Sequence, residues 1–387
     1  MRTAIVHADV VLPDRVLRDA AVVVEDGVIT AVEPASTPAD ETVDLRGATL
    51  LPGLIDLHGD AIEKEVEPRP NVRFPLDFAV AEADKRYAAA GITTAFHAIS
   101  FAPGELGLRC NDSAAAICRA IQAHAPHALV DNRVHCRYEV TDDAALPLLL
   151  DLIADGTAAM ISFMDHTPGQ GQFKAMGDYV RYLVRTYRHS ERDATAIAER
   201  KAGGAAAAVG RVRELARACA AHDVPLASHD DDDADRVATV REVGVRISEF
   251  PVNLAAATAA RAAGMSTVFG APNVLRGGSQ SGSVRAADAV RAGVADCLCS
   301  DYSPASLLPA ALKLVADGLA DLPTAVAMVT ANPATAAGLS DRGRIATGCR
   351  ADLIAVRTVG GRPFVNAGWV GGRPVLRLHP PGAGATP

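Results

Sequence analysis

The feature that most limits how this chain can fold is one alternation, repeated eight times. The runs GLIDLHGD, ITTAFHAIS, VHCRYEV, AAMISFMDH, VPLASHDD, VRISEF, STVFGAPN and ADCLCSDY are short and β-branched or apolar. Between them lie alanine-rich stretches of helical character such as DFAVAEADKRYAAA, SAAAICRAIQAHA and AATAARAAG. Short apolar runs bounded by turn signals read as strands buried on both faces. Eight strand–helix units predict a closed parallel (β/α)8 barrel over 54–335 rather than an open sheet. Segment 172–223 is too long for one crossover helix. It predicts two or more helices inserted after strand four, with a soft break at Gly203-Gly204.

The two ends of the chain share a different style. TAIVHADVVLPDRVLRDAAVVVEDGVITAV breaks into short β-type runs, with Asp26-Gly27 as a hairpin turn. GRIATGCRADLIAVRTV and RPFVNAGWVGGRPVLRL return to that pattern. This predicts a small β-sandwich domain built from 1–53 and 336–378, followed by a disordered tail at 379–387.

Bulk properties narrow the function. At 387 residues, 49% hydrophobic and 22% charged, the chain suits a globular enzyme with a sizeable core. A formal charge of −8 argues against nucleic-acid binding and still allows a local basic pocket. No apolar stretch approaches a membrane span, and MRTAIVHADV lacks the order of a signal peptide. The cysteines at 110, 118, 136, 219, 297, 299 and 349 form no CxxC pair, so reduced thiols and a cytoplasmic setting are expected. Cys297 and Cys299 alternate on a predicted strand and read as core.

In such barrels the chemistry sits at the C-terminal ends of the strands. Reading that position gives His58 and Asp60, His97, Glu139, Asp165 with His166, His229 with Asp230, Glu249, and Asp301. Each alone is weak: His97 by itself reads as a core histidine, and Asp231 to Asp233 read as a solvated loop. The coincidence is informative, because most strands end in a ligand-capable side chain. His58, Asp60, Glu139, His166, His229 and Asp301 are therefore expected to hold divalent metal, with Zn²⁺ first and Mn²⁺ or Fe²⁺ as alternatives. Glu139 could bridge a pair, which gives two ions per subunit, and Asp301 could accept a proton from activated water.

Basic loops suggest an anionic partner. APNVLRGGSQSGSVRAADAV, after strand seven, offers Arg276, Ser279, Gln280 and Ser281 as an anion cradle running into a helix N-terminus. Lys64, Arg69 and Arg73 follow strand one, and Gln170, Gln172 and Lys174 follow strand four.

The segments LPGLIDLHGD, EKEVEPRP, GITTAFHAIS, HCRYE, MDHTPGQGQF, ASHDD, EFP, GAPNVLRGGSQSG and SDYSPASLLPAAL, with ADLIAV near the end, cover most of the chain. Together they resemble the amidohydrolase superfamily, and within it the PhnM-type branch of phosphonate metabolism. That resemblance implies a metal-dependent hydrolase that cleaves α-D-ribose 1-methylphosphonate 5-triphosphate to the 5-phosphate and pyrophosphate. It also implies metal ligands at His58, Asp60, Glu139, His166 and His229, with Asp301 as ligand or base. One departure is that His97 stands where the family often carries an acidic residue. The alternatives are a hydrolase of a cyclic amide or N-acyl C–N bond, and an inactive scaffold. A small phosphorylated substrate is the expected partner, with no nucleic acid or membrane, and a homodimer is the expected assembly.

Overall fold

A computed structural model of the chain describes residues 1–34, 38–102, 110–167, 175–187, 190–279 and 282–379. Residues 380–387 of the expected tail lie outside these. Five strands come first: β1 (Arg2–Val11), β2 (Val16–Glu25), β3 (Val28–Pro34), β4 (Glu41–Asp44) and β5 (Thr49–Pro52). Eight more follow: β6 (Leu54–Gly59), β7 (Ile92–Phe101), β8 (Asp131–Glu139), β9 (Ala158–Met164), β10 (Leu226–His229), β11 (Ile247–Glu249), β12 (Ser266–Gly270) and β13 (Cys297–Cys299). β14 (Leu353–Val359), β15 (Arg362–Val370) and β16 (Arg373–Arg377) end the chain.

Strands β6 to β13 pair in sequence order, each parallel to the next. The ring closes through main chain at its C-terminal rim. The Asp301 amide donates to the His58 carbonyl (2.9 Å) and the Asp60 amide donates to the Asp301 carbonyl (2.9 Å). Closure thus seats three of the expected functional residues side by side. Inside the barrel, Ile55, Leu57, Phe96, Met160, Ile247, Val268, Cys297 and Cys299 form one apolar cluster. The two cysteines are packing groups, as their alternation suggests.

Both chain ends build a second sheet in the order β16-β15-β14-β5-β1-β2-β3, with β4 beside β1. β5 and β14 join its two parts by antiparallel pairing, Leu51 opposite Ile354. Ile5, Val22, Ile29, Leu50, Leu353 and Trp369 are among its core residues. A polar junction fastens this sheet to the barrel. Arg342 Nη1 donates to Asp131 Oδ2 (2.6 Å), at the start of β8, and Asp352 lies 3.8 Å from the same guanidinium nitrogen.

The first helices are α1 (Ile62–Val66), α2 (Leu76–Ala89), α3 (Asn111–His124) and α4 (Ala145–Ala154). The insertion after the fourth barrel strand is a hairpin of α5 (Met176–Tyr187) and α6 (Glu191–Ala221). The soft break expected at Gly203-Gly204 does not occur, because α6 runs unbroken for 31 residues. Two glycines cost a helix roughly 1 kcal/mol each relative to alanine, and the flanking alanines have the best propensity of any residue. The remaining helices needed below are α7 (Ala234–Glu242), α8 (Leu254–Ala262), α9 (Ala271–Arg276) and α10 (Ala286–Arg291). Among the described residues no helix is long and apolar enough to cross a membrane.

Candidate active site

A cavity of about 280 Å³ opens at the C-terminal rim of the barrel. His58, Asp60, His166, His229 and Asp301 line it from the strand ends, and Arg276, Ser279 and Ser283 line it from the loop after β12. Local backbone aims several of these groups. Asp230, Phe250 and Asp301, just past β10, β11 and β13, have φ of 57°, 51° and 55°. Such left-handed turns are uncommon for residues with a side chain and cluster at functional sites.

His58 is the innermost histidine of the cavity. Its Nδ1 lies 3.0 Å from Glu249 Oε1, and both residues are buried. Burial drives the His58 pKa well below the usual histidine value, and the nearby charges of Arg137 and His229 add to the effect. A neutral imidazole is the form that binds metal. The Phe250 ring packs edge-on to His58 at 5.0 Å and tilted against His229 at 5.1 Å. Asp301 is pushed up to about 7, by burial first and then by the charge of Asp60, against the pull of Arg137 and His229. A bound cation would draw it down again.

Glu139 sits behind this set rather than on the cavity wall. It is fully buried, with Oε2 at 2.8 Å from His166 Nδ1 and at 2.7 Å from Lys201 Nζ, while Thr141 Oγ1 donates to Oε1 (3.0 Å). Burial alone would raise its pKa, but the Lys201 and His166 charges prevail and hold it low, so it is ionised. Arg137, two residues earlier on β8 and therefore on the same side of the strand, also lines the cavity. Its guanidinium lies 3.4 Å from His229 Nε2 and 3.9 Å from Asp60 Oδ2.

The donor chemistry fits a divalent cation. Ligand atoms of His58, His229 and Glu249 lie within 4.8 Å of one another. Among the described residues the buried Glu249 Oε2 has no hydrogen-bond partner, while His229 Nδ1 lies 3.3 Å from Asp230 Oδ2, and imidazole with carboxylate suits first-row divalent ions.

Several expectations need relocating. His97 does not face the cavity. Phe96 packs into the barrel interior, so alternation turns His97 to the helix side, where its Nε2 meets Asn132 Oδ1 (2.8 Å) and its ring meets Tyr87 at 4.9 Å. Strand two gives the cavity Ser100 instead. Asp231 is not in a solvated loop. It is fully buried, and its Oδ2 accepts from Ser228 (2.6 Å) and Ser248 (2.5 Å), while Asp233 caps α7 through the Arg236 amide. Arg276 lies in the last turn of α9, closed by Gly277 at φ 73°, and the expected helix follows as α10 from Ala286, just past the cavity-lining Ser283 and Val284. Lys64, exposed on α1, and the exposed Arg69 are not among the cavity-lining residues, and Arg73 pairs with Glu67 at 3.4 Å. Gln170, Gln172, Lys174, Gln280 and Ser281 lie outside the described residues.

Sequence reasoning missed Arg137, Lys201 and Tyr182. HCRYE offered one signal, since Arg137 and Glu139 share a strand face. The two hairpin residues offered none.

Comparison with known proteins agrees with this architecture. The amidohydrolase family profile matches residues 76–375. The chain is 36% identical over 359 residues, 91% of its length and 95% of the relative's, to an α-D-ribose 1-methylphosphonate 5-triphosphate diphosphatase of Escherichia coli. Among solved structures, N-isopropylammelide isopropylaminohydrolase from Burkholderia multivorans matches with a TM-score of 0.66 at 17% identity, covering 97% of this chain and 98% of that one. N-acetylglucosamine-6-phosphate deacetylase from Pasteurella multocida matches with a TM-score of 0.62 at 14% identity, covering 97% and 99%. At such identities these structures speak for the shared fold alone.

Proposed function

This chain belongs to the amidohydrolase family, and from that premise we propose that its cavity hydrolyses α-D-ribose 1-methylphosphonate 5-triphosphate to the 5-phosphate and pyrophosphate. The observation that carries the reading is that one cavity joins two chemistries. Imidazoles and carboxylates (His58, Asp60, His166, His229, Asp301) face hydroxyls and a guanidinium (Ser279, Ser283, Arg276). The near full-length relative named for this reaction supports the choice of substrate.

His58, Asp60, His166, His229 and Asp301, with Glu139 behind His166, are the residues that would hold the divalent cofactor. Zn²⁺ is our first choice of ion, two per subunit our choice of stoichiometry, and the reduced cysteines support a cytoplasmic setting. When bound, such ions polarise phosphoryl oxygens and supply hydroxide near neutral pH. Arg276 and Ser279 grip the outer phosphates, which become the leaving pyrophosphate. Water attacks the phosphorus that stays on the ribose, and the bond from it to the bridging oxygen breaks. Asp301 takes the proton from the water and returns one to the departing group. Phe250 and Pro251 give the cavity wall an apolar part beside these groups.

The test is a substrate panel of the ribose phosphonate triphosphate, nucleoside triphosphates and cyclic or N-acyl amides, with phosphate, pyrophosphate and ammonia all followed. Pyrophosphate from the first substrate, lost on chelation and restored by added metal, is the expected result. Ammonia or a free amine from an amide, without pyrophosphate from any triphosphate, would replace this reading with C–N bond hydrolysis.

A further inference from the structure

The inserted hairpin carries a charge to the metal centre from outside the barrel. Glu139 is wholly buried at the end of β8, and a carboxylate so placed needs a compensating charge. That charge comes from α6. Lys201 Nζ donates to Glu139 Oε2 (2.7 Å), the same oxygen that lies 2.8 Å from His166 Nδ1. Lys201 is itself only 8% exposed, and its ammonium lies 5.3 Å from the centre of the Tyr179 ring, on α5.

We propose that Lys201 is a resident counter-cation for Glu139, which a divalent ion displaces as it loads at Glu139 and His166. The inference rests on the metal-dependent reading above. An ammonium and a divalent ion drawing on one buried carboxylate repel each other, with little water between them to screen the repulsion. Lysine suits a temporary partner. Its charge rides on a flexible four-carbon stem and makes point contacts, so it can leave without moving the helix. The hairpin stays attached when it does, because Arg211 Nη2, also on α6, donates to the Val140 carbonyl (2.9 Å), one residue past Glu139. The insertion would thus balance the Glu139 charge before metal loads and set how tightly the site takes it.

Two measurements on the purified full-length chain test this. The first is Mn²⁺ affinity, by competition with a chelating dye, for wild type, Lys201→Arg and Lys201→Gln. The expected result is that Lys201→Gln binds Mn²⁺ at least about tenfold more tightly than wild type, because the competing charge is gone. Lys201→Arg should not share the gain. The second needs no variant: amine-reactive labelling of wild-type Lys201, read by mass spectrometry, should rise several-fold on Mn²⁺ loading as the ammonium leaves its buried pair. Equal or weaker Mn²⁺ binding by a folded Lys201→Gln chain, or unchanged Lys201 labelling on loading, overturns the proposal. If Lys201→Gln does not fold, the labelling result decides alone. A wild-type chain that takes up no Mn²⁺ overturns the metal reading beneath it, and the dye experiment shows that failure separately.

Discussion

His58 Nδ1 and Glu249 Oε1 stand 3.0 Å apart across the barrel from β6 to β11, both shut off from solvent. The contact fixes the imidazole: with Nδ1 engaged by a carboxylate, Nε2 is the nitrogen left for the cavity. Glu249 is close enough to the histidines to be counted as a ligand itself. Its Oε1, however, is taken up by His58 Nδ1. We therefore assign it the orienting role that carboxylates commonly play behind metal-binding histidines. Glu249→Gln should keep the fold and lower divalent-metal affinity by about 10- to 100-fold. Dye competition with a thermal melt as control checks this, and an unaltered affinity would remove Glu249 from that role.

Asp301 is bound to the fold by its backbone and to the chemistry by its side chain. Its amide and carbonyl close the barrel against His58 and Asp60, and its φ of 55° is one that asparagine also tolerates. Asp301→Asn therefore isolates the carboxylate with the closure intact. Metal content should persist while kcat for pyrophosphate release drops by at least about 10². A variant as fast as wild type would show that the proton goes elsewhere.

Arg276 distinguishes a phosphate substrate from an amide. It is exposed at the end of α9 and lines the cavity, so its removal costs the fold little. A charge-assisted hydrogen bond contributes roughly 1.5–3 kcal/mol, so Arg276→Ala should raise KM for the triphosphate about tenfold or more. KM for an uncharged amide should hardly move. Steady-state kinetics on both substrates checks the contrast, and equal changes would discard the anion cradle.

How much of this could be read in the sequence depends on how far apart the partners lie. The barrel was legible because each strand advertises itself locally and the closure rule does the rest. His58 and Asp60 were legible because they are two apart on one strand end. The pairing of His58 with Glu249 spans 191 positions and that of Glu139 with Lys201 spans 62. No local pattern encodes either, since both depend on how distant elements dock. His97 was ambiguous for a different reason. Every residue of β7 is buried, so the strand shows no polar alternation to separate its inward side from its outward side. Lys201 was hidden by composition, because a lysine in an alanine-rich helix looks like an ordinary solvent-facing residue until its neighbours are known.

The junction between the terminal sheet and the barrel should show in acid stability. Asp131 meets Arg342 at 2.6 Å and Arg133 at 3.0 Å. Burial acts to raise its pKa, but the two guanidinium charges prevail and hold it below the usual 3.8. A carboxyl with a lowered pKa in the folded state adds stability that is complete above its ordinary value. That stability fades as pH falls through the ordinary value toward the lowered one. Asp352, whose own pKa is raised, chiefly by burial, has the opposite sign: its charge opposes folding at neutral pH, and protonation relieves it. Arg342→Met removes one of two guanidiniums these carboxylates share, since Arg350 lies 3.7 Å from Asp131 and 3.1 Å from Asp352, so it should cost roughly 1.5–3 kcal/mol near pH 7. The deficit should shrink as pH drops below about 4, where Asp131 becomes neutral in the unfolded chain and the missing cation matters less. Urea unfolding of wild type and variant across pH 3–7 measures it, and a deficit that stays constant over that range would assign the loss to packing rather than to the ion pair.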